Sequence, residues 1–308
     1  MGTSASKLGI VIAYFLIYVV WGSTYYFIGV ALKGFPTFLL GALRFSLAGL
    51  ILLLVCRMRG EKVFRSSLIG SSAVSGIVLL FVDMAVIMLA QRYVSSSLVA
   101  IIASSTAIWI MLFDVRMWKK TFRRLEILSG MLLGFLGVAL LYIEQIFSED
   151  ATHPHSEYGI LILIGGCISW ALGTLYAKYF SSKAEDVNCF AGSAWQMLFA
   201  SLAFWICAGL LDDFRKVDWQ AVPMSAWLSL IYLVIFGSLL AYSAYVWLLK
   251  VRPATEVSTH AYVNPVVAVI LGAGFGGEHV TIVQLTGLAI ILISVMLVNR
   301  KYKSDDNN

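Results

Sequence analysis

Apolar residues run through this chain in blocks of about twenty, parted by short clusters of charge, glycine and proline. The separators are plain: "KGFP" at 33–36, "RMRGEKVFR" at 57–65, "QRY" at 91–93, "WKKTFRR" at 118–124 and "SEDATHPHSE" at 148–157. Further on come "KYFSSKAED" at 178–186, "DDFRKVDW" at 212–219, "KVRP" at 250–253 and "GGEH" at 276–279. A helix of about 20 residues spans about 30 Å, the thickness of a bilayer's hydrocarbon core. The pattern predicts ten membrane helices, over 8–30, 36–56, 67–90, 97–118, 124–146, 157–177, 188–210, 224–249, 254–276 and 281–299. The expected fold is an all-α integral membrane protein.

Composition agrees. Hydrophobic residues make up 60% of the 308 and charged ones 13%, against about 25% charged in soluble domains. The mean hydropathy is +0.87. Lys7 is followed by an apolar run that continues past Val20 through "WGSTYYFIGV", which reads as a retained first span rather than a cleaved signal. Cys56, Cys167, Cys189 and Cys207 lie in or beside apolar runs and read as small hydrophobes.

The net charge of +5 is a topology signal, not a nucleic-acid surface. With the N-terminus inside, the inner segments hold 17 lysines and arginines; the outer ones hold four, Lys33, Arg92, Arg215 and Lys216. That asymmetry places both termini in the cytoplasm and requires an even number of spans. The expected location is the cell's inner (plasma) membrane. The longest outer loop, "SEDATHPHSEY", has no basic residue; its histidines and carboxylates read as an ordinary exposed loop, not a metal site.

The two halves can be laid on one another. "VVWGSTYYFIGVALKG" (19–34) matches "ISWALGTLYAKYFSSK" (168–183), pairing Trp21 with Trp170. "GALRFSLAGLILLL" (41–54) matches "SAWQMLFASLAFWI" (193–206), pairing Arg44 with Gln196. Residues 94–112 match 252–270, and 125–142 match 282–299. Five spans per half is an odd number, so the second half enters the membrane from the opposite side, as two inverted five-helix repeats. The expected division is a first repeat at 1–148, an outer connecting loop at 149–156, a second repeat at 157–302 and a cytoplasmic tail at 303–308.

The stretches "WGSTY" at 21–25, "RFSLAGLILL" at 44–53 and "NPVVAVILGAGFGGEHVTIVQLTGLAIILISVMLV" at 264–298 resemble the EamA family of the drug/metabolite transporter superfamily. The resemblance covers both halves. It implies a ten-helix bundle around a central cavity, moving small organic metabolites. Pro265 breaks the ninth span on this reading, whereas the fourth span has Ala107 at the matching place.

Few polar residues lie inside the apolar runs, and they are the candidates for a site. Arg44 comes eight residues after Pro36 and Asp83 eight before Gln91, so each lies about 12 Å from the outer face. They are either a buried ion pair that neutralises itself or charges lining a cavity. Gln196 and His260 are expected near a common level on the inner side, with His260 either a helix-contact histidine or a proton carrier. Asn264, before Pro265, is expected at a cavity, where a freed carbonyl is tolerated. Trp21 and Trp170 lie about 20 Å into their spans, too deep for an interfacial belt, and with Tyr25 they offer a stacking wall. Tyr242, Tyr245 and Tyr262 add further aromatics.

Several functions are disfavoured. No G-x-x-x-x-G-K-[ST] loop, H-E-x-x-H or G-x-S-x-G elbow occurs, so the chain is not expected to be an enzyme or to need a cofactor. The expected function is a secondary transporter, an exporter, of small metabolites such as amino acids, working by alternating access. The alternatives are a sugar-phosphate or nucleotide-sugar exchanger and, in a different class, a membrane-embedded receptor or enzyme. Phosphate wants paired basic groups, and only Arg44 is on offer. The expected partners are a small-molecule substrate and the lipid bilayer, with no nucleic acid, in a monomer or weak dimer.

Overall fold

A computed structural model describes residues 6–94, 96–121, 123, 125–147, 156–181, 188–275 and 281–305. The described residues are helices and connecting turns, with no strand among them. The elements that matter are α1 (Lys7–Ala31), α2 (Thr37–Met58) and α3 (Ser66–Ala90), then α4 (Ser96–Ala103), α5 (Thr106–Phe113), α6 (Leu125–Phe147) and α7 (Ser156–Tyr176). They continue with α8 (Cys189–Leu210), α9 (Met224–Val251), α10 (Ala254–Val257), α11 (His260–Phe275) and α12 (Ile282–Asp305).

Seven helical segments among the described residues are long and apolar enough to cross a membrane; α6 and α12 carry shorter apolar stretches, Leu125–Gly137 and Leu285–Ser294. The protein is therefore a multi-pass membrane protein. Burial runs opposite to that of a soluble bundle. Leu47, Leu50, Ile51 and Leu54 of α2 are exposed, while Arg44, Asp83, Gln196, His260 and Asn264 are buried. Lipid is as apolar as leucine, so large side chains face outward at no cost and polar ones seek partners inside.

The expected span 97–118 is not one continuous helix. It divides into α4 and α5 at Ser104 and Ser105. The expected span 254–276 divides likewise, but at Ser258 and Thr259, and α11 continues through Pro265. The break therefore comes two turns before the proline. Ser258 Oγ donates to Thr255 O at 2.8 Å and Thr259 Oγ1 to Glu256 O at 2.6 Å. Two hydroxyls that draw on carbonyls three residues back compete with the helix ladder, whereas Pro265 removes a single donor.

Helices α2 and α8 pack along their lengths, as do α6 and α12. Phe204 of α8 stacks on Phe45 of α2, with ring centres 5.7 Å apart. α1 packs on α9 and α11, and α7 on α3, α4 and α5. At one end Lys178 caps α9, donating to Leu249 O and Arg252 O at 2.9 and 2.6 Å, a favourable place for a cation. There Tyr179 also donates to both oxygens of Asp114.

Candidate functional site

Three of the helices around the centre of the bundle contain a wide π turn beside the residues that face inward. These are Leu16–Val20 ahead of Trp21 in α1, Gly76–Val82 ahead of Asp83 in α3, and Leu233–Tyr242 in α9. Such turns release carbonyls from the regular ladder and re-aim the side chains that follow, and they concentrate at functional sites. Asn264 of α11 answers one of them. With its amide nitrogen turned toward α1, it lies 2.9 Å from Ile17 O, 3.0 Å from Tyr18 O and 3.0 Å from His260 O.

The helices enclose a narrow cavity of about 50 Å³. Trp21, Tyr25, Arg44, Asp83, Trp170, His260 and Asn264 all line it, so seven of the eight residues singled out in the sequence are brought together. Gln196 is not among them. It lies one layer behind, donating to Ser75 Oγ at 2.9 Å and accepting from Tyr242 OH at 2.7 Å, and Tyr242 lines the cavity in its place. Gln196 and His260 share no hydrogen-bond partner among the described residues.

Arg44 and Asp83 do not form the ion pair that their matching depths allowed. Arg44 turns to α9, where Nε donates to Ser238 Oγ at 2.9 Å. Its Nη1 lies 3.9 Å from Met84 Sδ. No acid is within ion-pair distance of the guanidinium among the described residues. Gly237 makes this direction possible, since a β-carbon there would stand 3.0 Å from Arg44 Nη2. Asp83 turns instead to α7, where a β-carbon on Gly166 would lie 3.6 Å from its Oδ1. It has no hydrogen-bond partner of its own among the described residues. The cavity therefore carries a cation and a carboxyl, both buried and neither used by the other.

The remaining wall is aromatic. The Trp21 ring lies 5.5 Å from Trp170, 5.0 Å from Tyr245 and 5.1 Å from His260, and its Nε1 donates to Gly237 O at 2.9 Å. Trp170 Nε1, near the Tyr245 ring, makes no hydrogen bond of good geometry. His260 Nδ1 is engaged with Val257 O at 2.8 Å. Thr24, Thr106, Gly237 and Ser238 also line the space, and the sequence did not single them out. Serine, threonine and glycine are ordinary packing residues in membrane helices, so on α9 the sequence drew attention to Tyr242 and Tyr245 rather than to Gly237 and Ser238. Among the described residues no three of histidine, cysteine, aspartate and glutamate come together as a metal site. Most of the loop 149–156 lies outside the described residues.

The EamA-like transporter family matches twice, over residues 7–143 and 157–300. The chain belongs to that family. It is a membrane transporter. It is 32% identical over 289 residues to the uncharacterised inner membrane transporter YedA of Escherichia coli K12, covering 93% of this chain and 89% of YedA. A probable amino-acid metabolite efflux pump of Salmonella typhimurium is 24% identical, with 92% of each chain covered. A solved crystal structure shares the fold, with a TM-score of 0.73 at 18% identity over 96% of this chain and 98% of its own.

Proposed function

We propose that this member of the family is a secondary transporter that exports small zwitterionic metabolites such as amino acids. One observation carries the substrate class: Arg44 and Asp83 face one cavity without pairing, beside a wall of Trp21, Trp170 and Tyr242. A carboxylate suits the free guanidinium edge of Arg44. An ammonium suits Asp83, and an apolar side chain suits the aromatic wall. Each charge then gains the partner that its burial demands. A sugar phosphate would leave Asp83 facing an anion, with Arg44 the sole arginine or lysine in the lining. The relative named as a probable amino-acid metabolite efflux pump supports the same class and the outward direction.

The mechanism is alternating access between two inverted halves, 1–148 and 157–302, joined by 149–156. The double family match and the pairing of α2 with α8 and α6 with α12 support that division. So does the bond of Gln196 to Ser75, which repeats that of Arg44 to Ser238 with the halves exchanged. A cavity of about 50 Å³ has room for a few waters, whereas ligand sites occupy about 300–1,000 Å³. The halves must move apart for a solute to enter. The proposed setting is the inner membrane with ten spans, both termini cytoplasmic and the tail from 303 inside. The ends of α1, α3 and α8 share one depression, which supports a common face for the outer loops.

Counterflow into liposomes containing the purified protein tests the reading. Labelled leucine, methionine or phenylalanine should exchange, and glucose 6-phosphate should not. Exchange of the sugar phosphate without any of the zwitterions would overturn the substrate class.

A further inference from the structure

At one end of the bundle, a turn beyond the central cavity, lies a second and larger depression of about 460 Å³. The turn after α1, the start of α2, the last residues of α3 and the short helix Asp213–Lys216 enclose it. Three basic residues line it: Lys33, Arg92 and Lys216. They are three of only four that the charge sorting leaves on the outer side, against 17 inside. Positive charge on that face opposes the topology signal, so these residues have another role, and the fold gathers them in one place.

The lining holds one acid, Asp213, and it is already used. Asp213 is buried; its Oδ2 accepts from Phe38 N at 3.1 Å and its Oδ1 from Lys216 Nζ at 3.2 Å. Asp212 just before it has a φ of 56°, the only non-glycine with a positive φ among the described residues. A left-handed aspartate costs energy and persists where its surroundings hold it; here it carries Asp213 to the first turn of α2. Arg92 is fixed by Nε to Thr37 Oγ1 at 2.9 Å. Its two terminal nitrogens, and Lys33 Nζ, have no partner among the described residues.

Apart from Thr37, which holds Arg92, the rest of the lining carries no polar side chain, with Leu32, Phe38, Leu89 and Leu211 among it. It lies where α1, α3 and α8 end. Trp227, whose ring meets Phe35 edge-on at 4.9 Å and Trp219 at 6.3 Å, marks the same level, and tryptophans gather at headgroup depth. We infer that this depression is a binding site for the phosphate headgroup of an anionic phospholipid. Lys33 and Arg92 hold the phosphate oxygens, and the apolar walls receive the start of the acyl chains. The inference does not depend on the transported solute.

Native mass spectrometry of the delipidated protein, titrated with phosphatidylglycerol, phosphatidylcholine or inorganic phosphate, tests it. Both lipids carry the phosphodiester, but the choline ammonium sets a positive charge beside Lys33 and Arg92, so phosphatidylglycerol should bind with a preference over phosphatidylcholine of about tenfold or more. The double variant Lys33→Gln, Arg92→Gln should lose that preference, and the charge-keeping pair Lys33→Arg, Arg92→Lys should retain it. Lys33 and Arg92 are exposed and line no part of the central cavity, so a failed transport assay leaves this result readable. Equal binding of the two lipids would overturn the inference. So would an unchanged preference in the double variant, its loss in the charge-keeping pair, or displacement of phosphatidylglycerol by millimolar inorganic phosphate, which marks a soluble-anion site.

Discussion

Arg44 Nε lies 2.9 Å from Ser238 Oγ, in a contact that joins the second helix to the π turn of α9. A guanidinium that spends one donor on a serine and none on an acid retains its charge and most of its hydrogen-bonding edge for a ligand. Arg44→Gln should therefore abolish zwitterion exchange while leaving the protein in the membrane. Flux and surface expression, measured side by side, check it.

The separation of Arg44 from Asp83 has its own consequence. In the absence of solute, Arg44→Gln and Asp83→Asn should each destabilise the protein without the large mutual rescue that removing both members of an ion pair gives. Thermal unfolding of the singles and the double measures the coupling. A double variant markedly more stable than the sum would mean that the two groups meet.

Two glycines in π turns of different helices should respond differently to alanine. At Gly237 the new β-carbon would stand 3.0 Å from both Arg44 Nη2 and Thr24 Cγ2, which are side-chain atoms able to shift. At Gly76 it would run into the backbone of Gln196, with the α-carbon 2.9 Å away. Gly237→Ala is expected to fold and to transport poorly, because the guanidinium is displaced. Gly76→Ala is expected to lose about 1–3 kcal/mol or more, visible as a lower unfolding midpoint.

How much of this was legible follows from what lipid penalises. Arg44, Asp83, His260 and Asn264 stood out because polar groups are costly in an apolar span, and the cavity gathers all four. A residue count gives distance along a helix, at 1.5 Å per residue. It does not give rotation about the helix axis. The π turns at Leu16–Val20, Gly76–Val82 and Leu233–Tyr242 shift the phase of every later side chain, so a count of residues placed Arg44 and Asp83 level without showing that they diverge. Gln196 lies on the regular helix α8 and stands one layer behind Tyr242, because residue type and depth do not give the direction of a side chain. Pro265 drew attention as a breaker, while the real break came from the less conspicuous Ser258 and Thr259.

Topology is open to a direct check. Reporter tags at residues 3 and 305 should both read as cytoplasmic, and one at residue 153 as external, following the distribution of lysine and arginine. An external C-terminus would be incompatible with two inverted five-helix halves.

The aromatic wall makes a further prediction. Trp170 is buried against Trp21 and Tyr245, with ring centres 5.5 and 5.3 Å away, and its Nε1 lacks a hydrogen bond of good geometry. Trp170→Ala should lower exchange while membrane insertion is unchanged, because one tryptophan adds little to the apolarity of a span of 20 residues. Trp170→Phe keeps the apolar surface and removes the donor, so it separates the two contributions. If the wall acts by stacking, the phenylalanine variant should retain most of the flux for phenylalanine. If the N–H meets the solute, both variants should fall together. Normal exchange by Trp170→Ala would remove this residue from the site and leave Trp21 and Tyr242 as the wall on which the zwitterion packs.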